Sequence, residues 1–356
     1  MNAALVDGIV KAVLYEGYML YPYRPSAVKN RQRFNFGVVY PRAYSEAQGG
    51  NSTDAWTMQT ECLVLGDAQT ECSVRVRFLR MVTRSIGKLR GPANDPASLA
   101  DAATDNVERL EANGRTYQPW QEAGEEVIEL PDSNVSSLCA QPMQWPFRLS
   151  LELEQEVIRD EQNLIVGVVR REKSSIAGMV EVAAQRLRDR VFKLTARIAN
   201  VSRFAAAPPA SREEALARSL VSAHTILEVR GGEFVSLVDP PEAHREFAQA
   251  CQNIGTWPVL VGEESERDTM LSSPIILYDY PQIAPESPGD LFDGAEIDEI
   301  LSLRIMTLTD EEKREMRESD DRARKILERT ETLPEEQLMK LHGALRGLRA
   351  AKSETT

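Results

Sequence analysis

Val74-Arg75-Val76-Arg77-Phe78-Leu79-Arg80 and Phe147-Arg148-Leu149-Ser150-Leu151-Glu152-Leu153-Glu154 both place an apolar side chain at every second position. A period of two belongs to a β-strand with one face in a core and the other in water, as in antiparallel sheets. Further strand-like runs surround these two: Ile9–Leu20, Phe34–Tyr40, Glu61–Leu65, Leu164–Arg170, Ile176–Ala183 and Val191–Val201. The first alternating segment extends over Val74–Val82 and the second over Phe147–Val157. The small and charged residues of Ser98–Asn113 read as one intervening helix. Residues 1–205 are therefore expected to form a mainly antiparallel, β-sandwich-like domain.

Pro208-Pro209-Ala210 breaks this pattern, and Ser211-Arg212-Glu213-Glu214 has the form of a capping box. Leu216, Leu220, Ala223 and Leu227 recur at helical spacing, which predicts a helix to about Glu228. A Gly231-Gly232 turn follows, then a strand at Phe234–Val238 and a helix from Pro240-Pro241. Strands are expected near Val259–Val261, Pro274–Tyr278 and Leu301–Ile305. Residues 206–308 thus read as a mixed α/β region packed on the first domain, and the fold class as α+β.

Residues 309–356 read as a charged helical arm. Thr309-Asp310-Glu311-Glu312 is a second capping box, and the helix to about Arg329 offers only Met316, Ala323, Ile326 and Leu327 for burial. Such a helix is expected to pack weakly on its own protein. Beyond Thr332-Leu333-Pro334-Glu335, a third capping box, Leu338, Leu341, Leu345 and Leu348 form a stripe suited to packing against another helix. That stripe is a candidate surface for self-association or partner docking.

The 356 residues carry a formal net charge of -13, and 42% are hydrophobic. This content supports a core, while the charge argues against nucleic acid or an anionic membrane surface as partner. The start lacks a basic, then apolar, leader pattern, and no window approaches eighteen uninterrupted apolar residues, so a cytoplasmic, membrane-free protein is expected. Four cysteines, Cys62, Cys72, Cys139 and Cys251, are too scattered for a disulfide framework. Cys62 and Cys72 lie symmetrically about Asp67. If Gly66-Asp67-Ala68 is a hairpin turn, their sulfurs face each other as a redox or metal hand-off pair, or else as small buried thiols.

Enzyme motifs are absent: no glycine-rich phosphate loop, GxSxG, HExxH or CxxC occurs. The three histidines, His224, His244 and His342, fall in different predicted helices, and no metal or cofactor is expected. The candidate binding residues lie instead in two proline-bounded segments. In Ser273–Glu299, Pro274, Pro281, Pro285 and Pro288 stiffen a loop that presents Asp279, Glu286, Asp290 and Asp293. In Tyr15–Arg33, aromatics interleave with Arg24, Lys29 and Arg31, a basic run suited to an acidic partner or to the Asp279–Glu299 loop itself.

Those two stretches also carry a resemblance. Leu14–Pro41 (LYEGYMLYPYRPSAVKNRQRFNFGVVYP) and Ser273–Lys313 resemble the signature segments of a protein family associated with bacterial gene clusters for uptake nickel–iron hydrogenases. Gly255–Gly262 (GTWPVLVG) and Ser236–Pro241 (SLVDPP) extend the similarity, which stops near Arg329. The resemblance implies a hydrogenase accessory or maturation role. Because Cys and His are scarce, a non-catalytic assembly factor that binds a protein partner is expected rather than a metal carrier. The alternative is an enzyme with a pocket of Asp, Glu, Arg and Tyr.

Overall fold

A strand of 23 residues organises the molecule. In this computed structural model, residues 3–15, 36–49, 53–95, 103–205, 211–282, 304–319, 321–332 and 334 are described. Among them the strands are β1 (Thr57–Leu65), β2 (Glu71–Ala93), β3 (Thr104–Asn106), β4 (Leu110–Ala112), β5 (Arg115–Tyr117), β6 (Trp120–Glu129), β7 (Ser133–Asn134), β8 (Met143–Leu149), β9 (Glu152–Arg159), β10 (Ile165–Lys173), β11 (Ile176–Arg188), β12 (Val191–Asn200), β13 (Val221–Arg230), β14 (Glu233–Val235), β15 (Trp257–Leu260) and β16 (Thr269–Ser273). The helices are α1 (Ala3–Leu14), α2 (Arg42–Ala47), α3 (Val135–Ala140), α4 (Arg212–Leu216), α5 (Arg245–Gln249), α6 (Asp310–Ser319) and α7 (Asp321–Glu331).

The protein is α+β and sandwich-like. One sheet has the order β14-β1-β12-β11-β8, and the other runs β15-β16-β13-β2-β10-β9. The long β2 serves two partners along one edge, β13 at Glu71–Leu79 and β10 from Thr83 onward, while β6 and β3 line its other edge. Alternating residues of both sheets fill the space between them. Cys62, Val64, Val180, Val182, Leu194 and Ile198 from one sheet meet Val74, Val76, Phe78, Leu227 and Val229 from the other. The alternation read from Val74 to Phe78 is thus the inner face of the sandwich.

Residues 143–188 form one long antiparallel hairpin shared by the two sheets. Leu149 lies opposite Ile176 and Glu152 opposite Lys173, so the same register runs unbroken from β8/β11 into β9/β10. The ribbon creases between these pairs. Arg80, whose side chain is 0% exposed, fills the crease at the place where β13 has left β2 and β10 has not yet joined it. Its guanidinium donates to the carbonyls of Ser150, Lys173 (3.3 Å) and Ser174 (2.9 Å), and to the carboxylates of Glu126 (3.2 Å) and Glu152 (2.9 Å). Arginine suits this position because its fork carries five fixed donors.

Several expectations are corrected. Within Ile9–Leu20 the described residues, 9–15, form the end of a helix instead of a strand: Val6, Ile9 and Val10 recur at helical spacing, and α1 buries them against Ile226, Val259 and Leu271. Within Ser98–Asn113 the described residues form β3 and β4 instead of a helix, and Asn113 (φ 51°) and Gly114 (φ 71°) turn the chain into β5. The capping box at Ser211 is present, with Ser211 Oγ accepting from the Glu214 N–H and the Glu214 carboxylate accepting from the Ser211 N–H. Its helix is only α4, however. Leu220 forms an isolated bridge with Val39, and Ala223 and Leu227 lie on β13, a central strand whose residues are buried on both faces; this removes the polar alternation that marks a strand. Phe234–Val238 shortens to β14, β16 ends before Pro274, and residues 304–306 are helical.

The helical end packs more tightly than its charge implies. Met316, Ala323, Ile326 and Leu327 are all buried with Leu79, Met81, Trp120 and Ala123 of the nine-stranded sheet and with Tyr15. Lys313 and Arg317 both reach Glu331, so α6 and α7 fold back on each other. The Thr309 capping box is formed, with the Glu312 carboxylate accepting from the Thr309 N–H at 2.8 Å.

Candidate functional site

Most of the residues singled out in the sequence lie outside the described residues: Arg24, Lys29, Arg31, Glu286, Asp290, Asp293, Leu338, Leu341, Leu345 and Leu348. Asp279 is described and faces inward. Its carboxylate accepts from Ser236 Oγ at 2.5 Å and from the Leu260 N–H at 2.8 Å, pinning the proline segment to β15. That is an anchoring role, and it holds the exposed side chains of Ile276 and Tyr278 at the surface.

Cys62 and Cys72 do not face each other across a hairpin. The turn after β1 carries the chain from one sheet to the other, so the two thiols sit on opposite sheets inside the sandwich. Burial raises the thiol of Cys62 well above its ordinary range and that of Cys72 to about 12, and both are free. These are the small buried thiols of the plainer reading.

His224 lies on β13 rather than on a helix, wholly buried. A carbonyl only accepts, so Nδ1 donates to the Ser222 carbonyl at 2.7 Å, and Nε2 is left to accept from Ser273 Oγ at 3.2 Å. Burial pushes its pKa down to about 4. The pair has the form of a base-activated serine but no access for a substrate, and we read it as a core hydrogen bond. Among the described residues no group of three or more His, Cys, Asp or Glu side chains is placed to hold a metal ion. No helix among them is long and apolar enough to cross a membrane.

Two surfaces stand out. The first is the outer edge of the long hairpin. β8 and β9 are terminal strands, so residues 143–159 form an edge that no further strand among the described residues covers on either sheet. Trp145, Leu151 and Leu153 are 38%, 55% and 63% exposed along it. Leu151 and Leu153 alternate with Glu152, Glu154 and Glu156, giving one apolar and one acidic row. Pro146 sits in β8, where an edge strand tolerates its missing donor.

The second is a cleft of about 550 Å³ between the nine-stranded sheet, the β4–β5 hairpin and the α6–α7 pair. Arg84, Arg115, Arg171, Arg317, Arg322 and Arg324 line it, opposed by Glu122, Glu156 and Glu318. Glu122 receives Arg84 Nη1 at 3.0 Å on one oxygen and Arg171 Nε at 3.1 Å on the other, fixing two guanidiniums side by side. Glu156 takes Arg171 Nη1 at 3.1 Å, and Glu318 takes the Thr116 N–H at 3.4 Å. Arg322 donates to Tyr15 Oη and lies 3.9 Å over its ring, tying α7 to the end of α1. Sequence reasoning missed this cleft because its residues come from β2, β5, β6, β9, β10 and two helices. Of the arginines that recur along β2, at Arg75, Arg77, Arg80 and Arg84, only Arg84 lines the cleft, so that recurrence did not point to it. The chain matches no protein-family model and no curated protein.

Proposed function

We propose that the protein is a non-catalytic accessory or assembly factor that binds a protein partner, and that the outer edge of the 143–188 hairpin receives it. The exposed, alternating row Leu151, Glu152, Leu153, Glu154 on an edge that pairs along one side only among the described residues is the observation that supports this reading. An open edge accepts an extended segment through main-chain hydrogen bonds, while alternate side chains set the specificity. Glu152 is already paired with Arg80 and Lys173 and Glu156 with Arg171, so it is Glu154 that calls for a basic side chain on an otherwise apolar partner strand. Arg80 contributes by fixing the crease, which presents the β8 and β9 edges in one arrangement. The resemblance of residues 14–41 and 273–313 to the hydrogenase-associated family adds a nickel–iron hydrogenase subunit or its maturation machinery as the proposed partner.

An affinity retention experiment tests this, comparing the unaltered chain with the double variant Leu151→Lys, Leu153→Lys in extract of the native host. Both positions are exposed, so the variant is expected to fold normally and to lose a protein that the unaltered chain retains. Equal recovery of the same protein by both chains refutes the docking edge. Recovery of a partner unrelated to hydrogenase refutes only the hydrogenase assignment. An enzymatic reading draws on the Arg, Glu and Tyr lining of the cleft. Each of the three lining carboxylates already accepts a hydrogen bond, which favours a receptor over a general base.

A further inference from the structure

Six guanidiniums around one cleft oppose three carboxylates, in a chain whose net charge is -13. Glu331, just outside the lining, takes Arg317 at 2.6 Å, so the positive surplus rests on the groups that keep open donors, Arg171 and Arg115. Like charges gathered in a partly enclosed site repel one another, and an anion offsets that repulsion.

The arrangement is also prepared in advance. Glu122 uses one carboxylate to hold the Arg84 and Arg171 forks together, and the Gln118 carbonyl accepts from Arg84 Nε at 3.1 Å. Their side chains are only 11% and 29% exposed, so their charge-assisted bonds act in a medium poorer in water than the surface. Arg171 engages Nε and Nη1, and Nη2 has no partner among the described residues. Arg115, at the start of β5, is exposed on the rim and has no ion-pair partner among the described residues. Arginine is the side chain whose planar fork matches phosphate and carboxylate oxygens in pairs. The volume of about 550 Å³ falls in the range of small-molecule sites, roughly 300–1,000 Å³.

We infer that this cleft is a receptor for a small, multiply charged oxyanion, either a phosphate ester or a polycarboxylate, with Arg171 and Arg115 supplying donors to it. The inference is independent of the docking edge, since the two surfaces share only Glu156.

Isothermal titration calorimetry of the full-length chain with sodium pyrophosphate and, separately, with citrate tests it. The expected result is one-site binding of at least one anion, weakening as salt is raised. The affinity should fall about tenfold or more in Arg115→Ala, as loss of a charge-assisted contact implies. Arg186→Ala, which removes a surface arginine paired with Asp189, is expected to bind as the unaltered chain does. Tighter binding of pyrophosphate assigns the site to phosphate esters, and tighter binding of citrate assigns it to polycarboxylates. Absence of binding by either anion overturns the inference. So does equal affinity in Arg115→Ala, or an equal loss in both variants.

Discussion

Replacing Arg80 by alanine removes the group on which the crease of the long hairpin depends. The Ser174 carbonyl, on a residue 6% exposed, loses both of its guanidinium donors, and a buried acceptor left without a partner costs about 1–3 kcal/mol. The Ser150 and Lys173 carbonyls lose theirs too, but both residues have access to water and recover part of the loss. Glu126 and Glu152 are 22% and 47% exposed, and Glu152 keeps Lys173 Nζ at 2.7 Å, so the charge contribution is strongly discounted. The vacated space adds a cavity cost. Together these give a destabilisation of about 3–4 kcal/mol. Urea denaturation at constant slope is the assay, and Arg80→Lys, with one point charge in place of a fork, is expected to restore less than half. A loss below about 1 kcal/mol in Arg80→Ala refutes the view that the guanidinium holds the crease.

Three further outcomes follow from the packing. His224 stays neutral in the fold, with a pKa of about 4 against an ordinary 6.5, so the unfolded chain binds a proton that the folded chain refuses between those values. Stability therefore falls as pH drops from 6.5 towards 4, by on the order of 3 kcal/mol. Urea titrations at several pH values should show this slope, and His224→Gln should flatten it; an unchanged slope contradicts the assignment. Leu327→Ala, at a fully buried position of α7, should cost about 2–4 kcal/mol, whereas a weakly docked helix would show almost no change. Maleimide should label exposed Cys139 in the native protein and reach Cys62 and Cys72 only after denaturation; native labelling of either buried thiol contradicts their place in the core.

The sheet body was legible in the sequence where one face of a strand is wet. Val74–Phe78 and Ile176–Ala183 alternate because their outward positions meet solvent or charged neighbours, and both lie on strands as expected. Legibility failed where both faces are covered. Val221–Val229 is buried throughout, so its leucines fit a period of 3.6 as well as one of two, and the real capping box at Ser211 extended a five-residue helix into a strand. α1 failed for a related reason, since its β-branched residues carry strand propensity while their spacing, which decides the packing, is helical. The helical end misled by its charge: four apolar residues suffice when all four fall on the face that meets Leu79, Met81 and Trp120. The arginine cleft was invisible because no two of its lining elements announce each other in the chain, and only the fold brings Arg84, Arg115, Arg171 and Arg317 to one place.

Hydrogen–deuterium exchange of the protein, free and with its retained partner, is the most direct measurement of the docking edge. The account predicts that the outward-facing amides of residues 143–158, on strands paired on one side only among the described residues, exchange readily in the free chain and become protected in the complex. Unchanged exchange across 143–158, with protection appearing elsewhere on the chain, contradicts it.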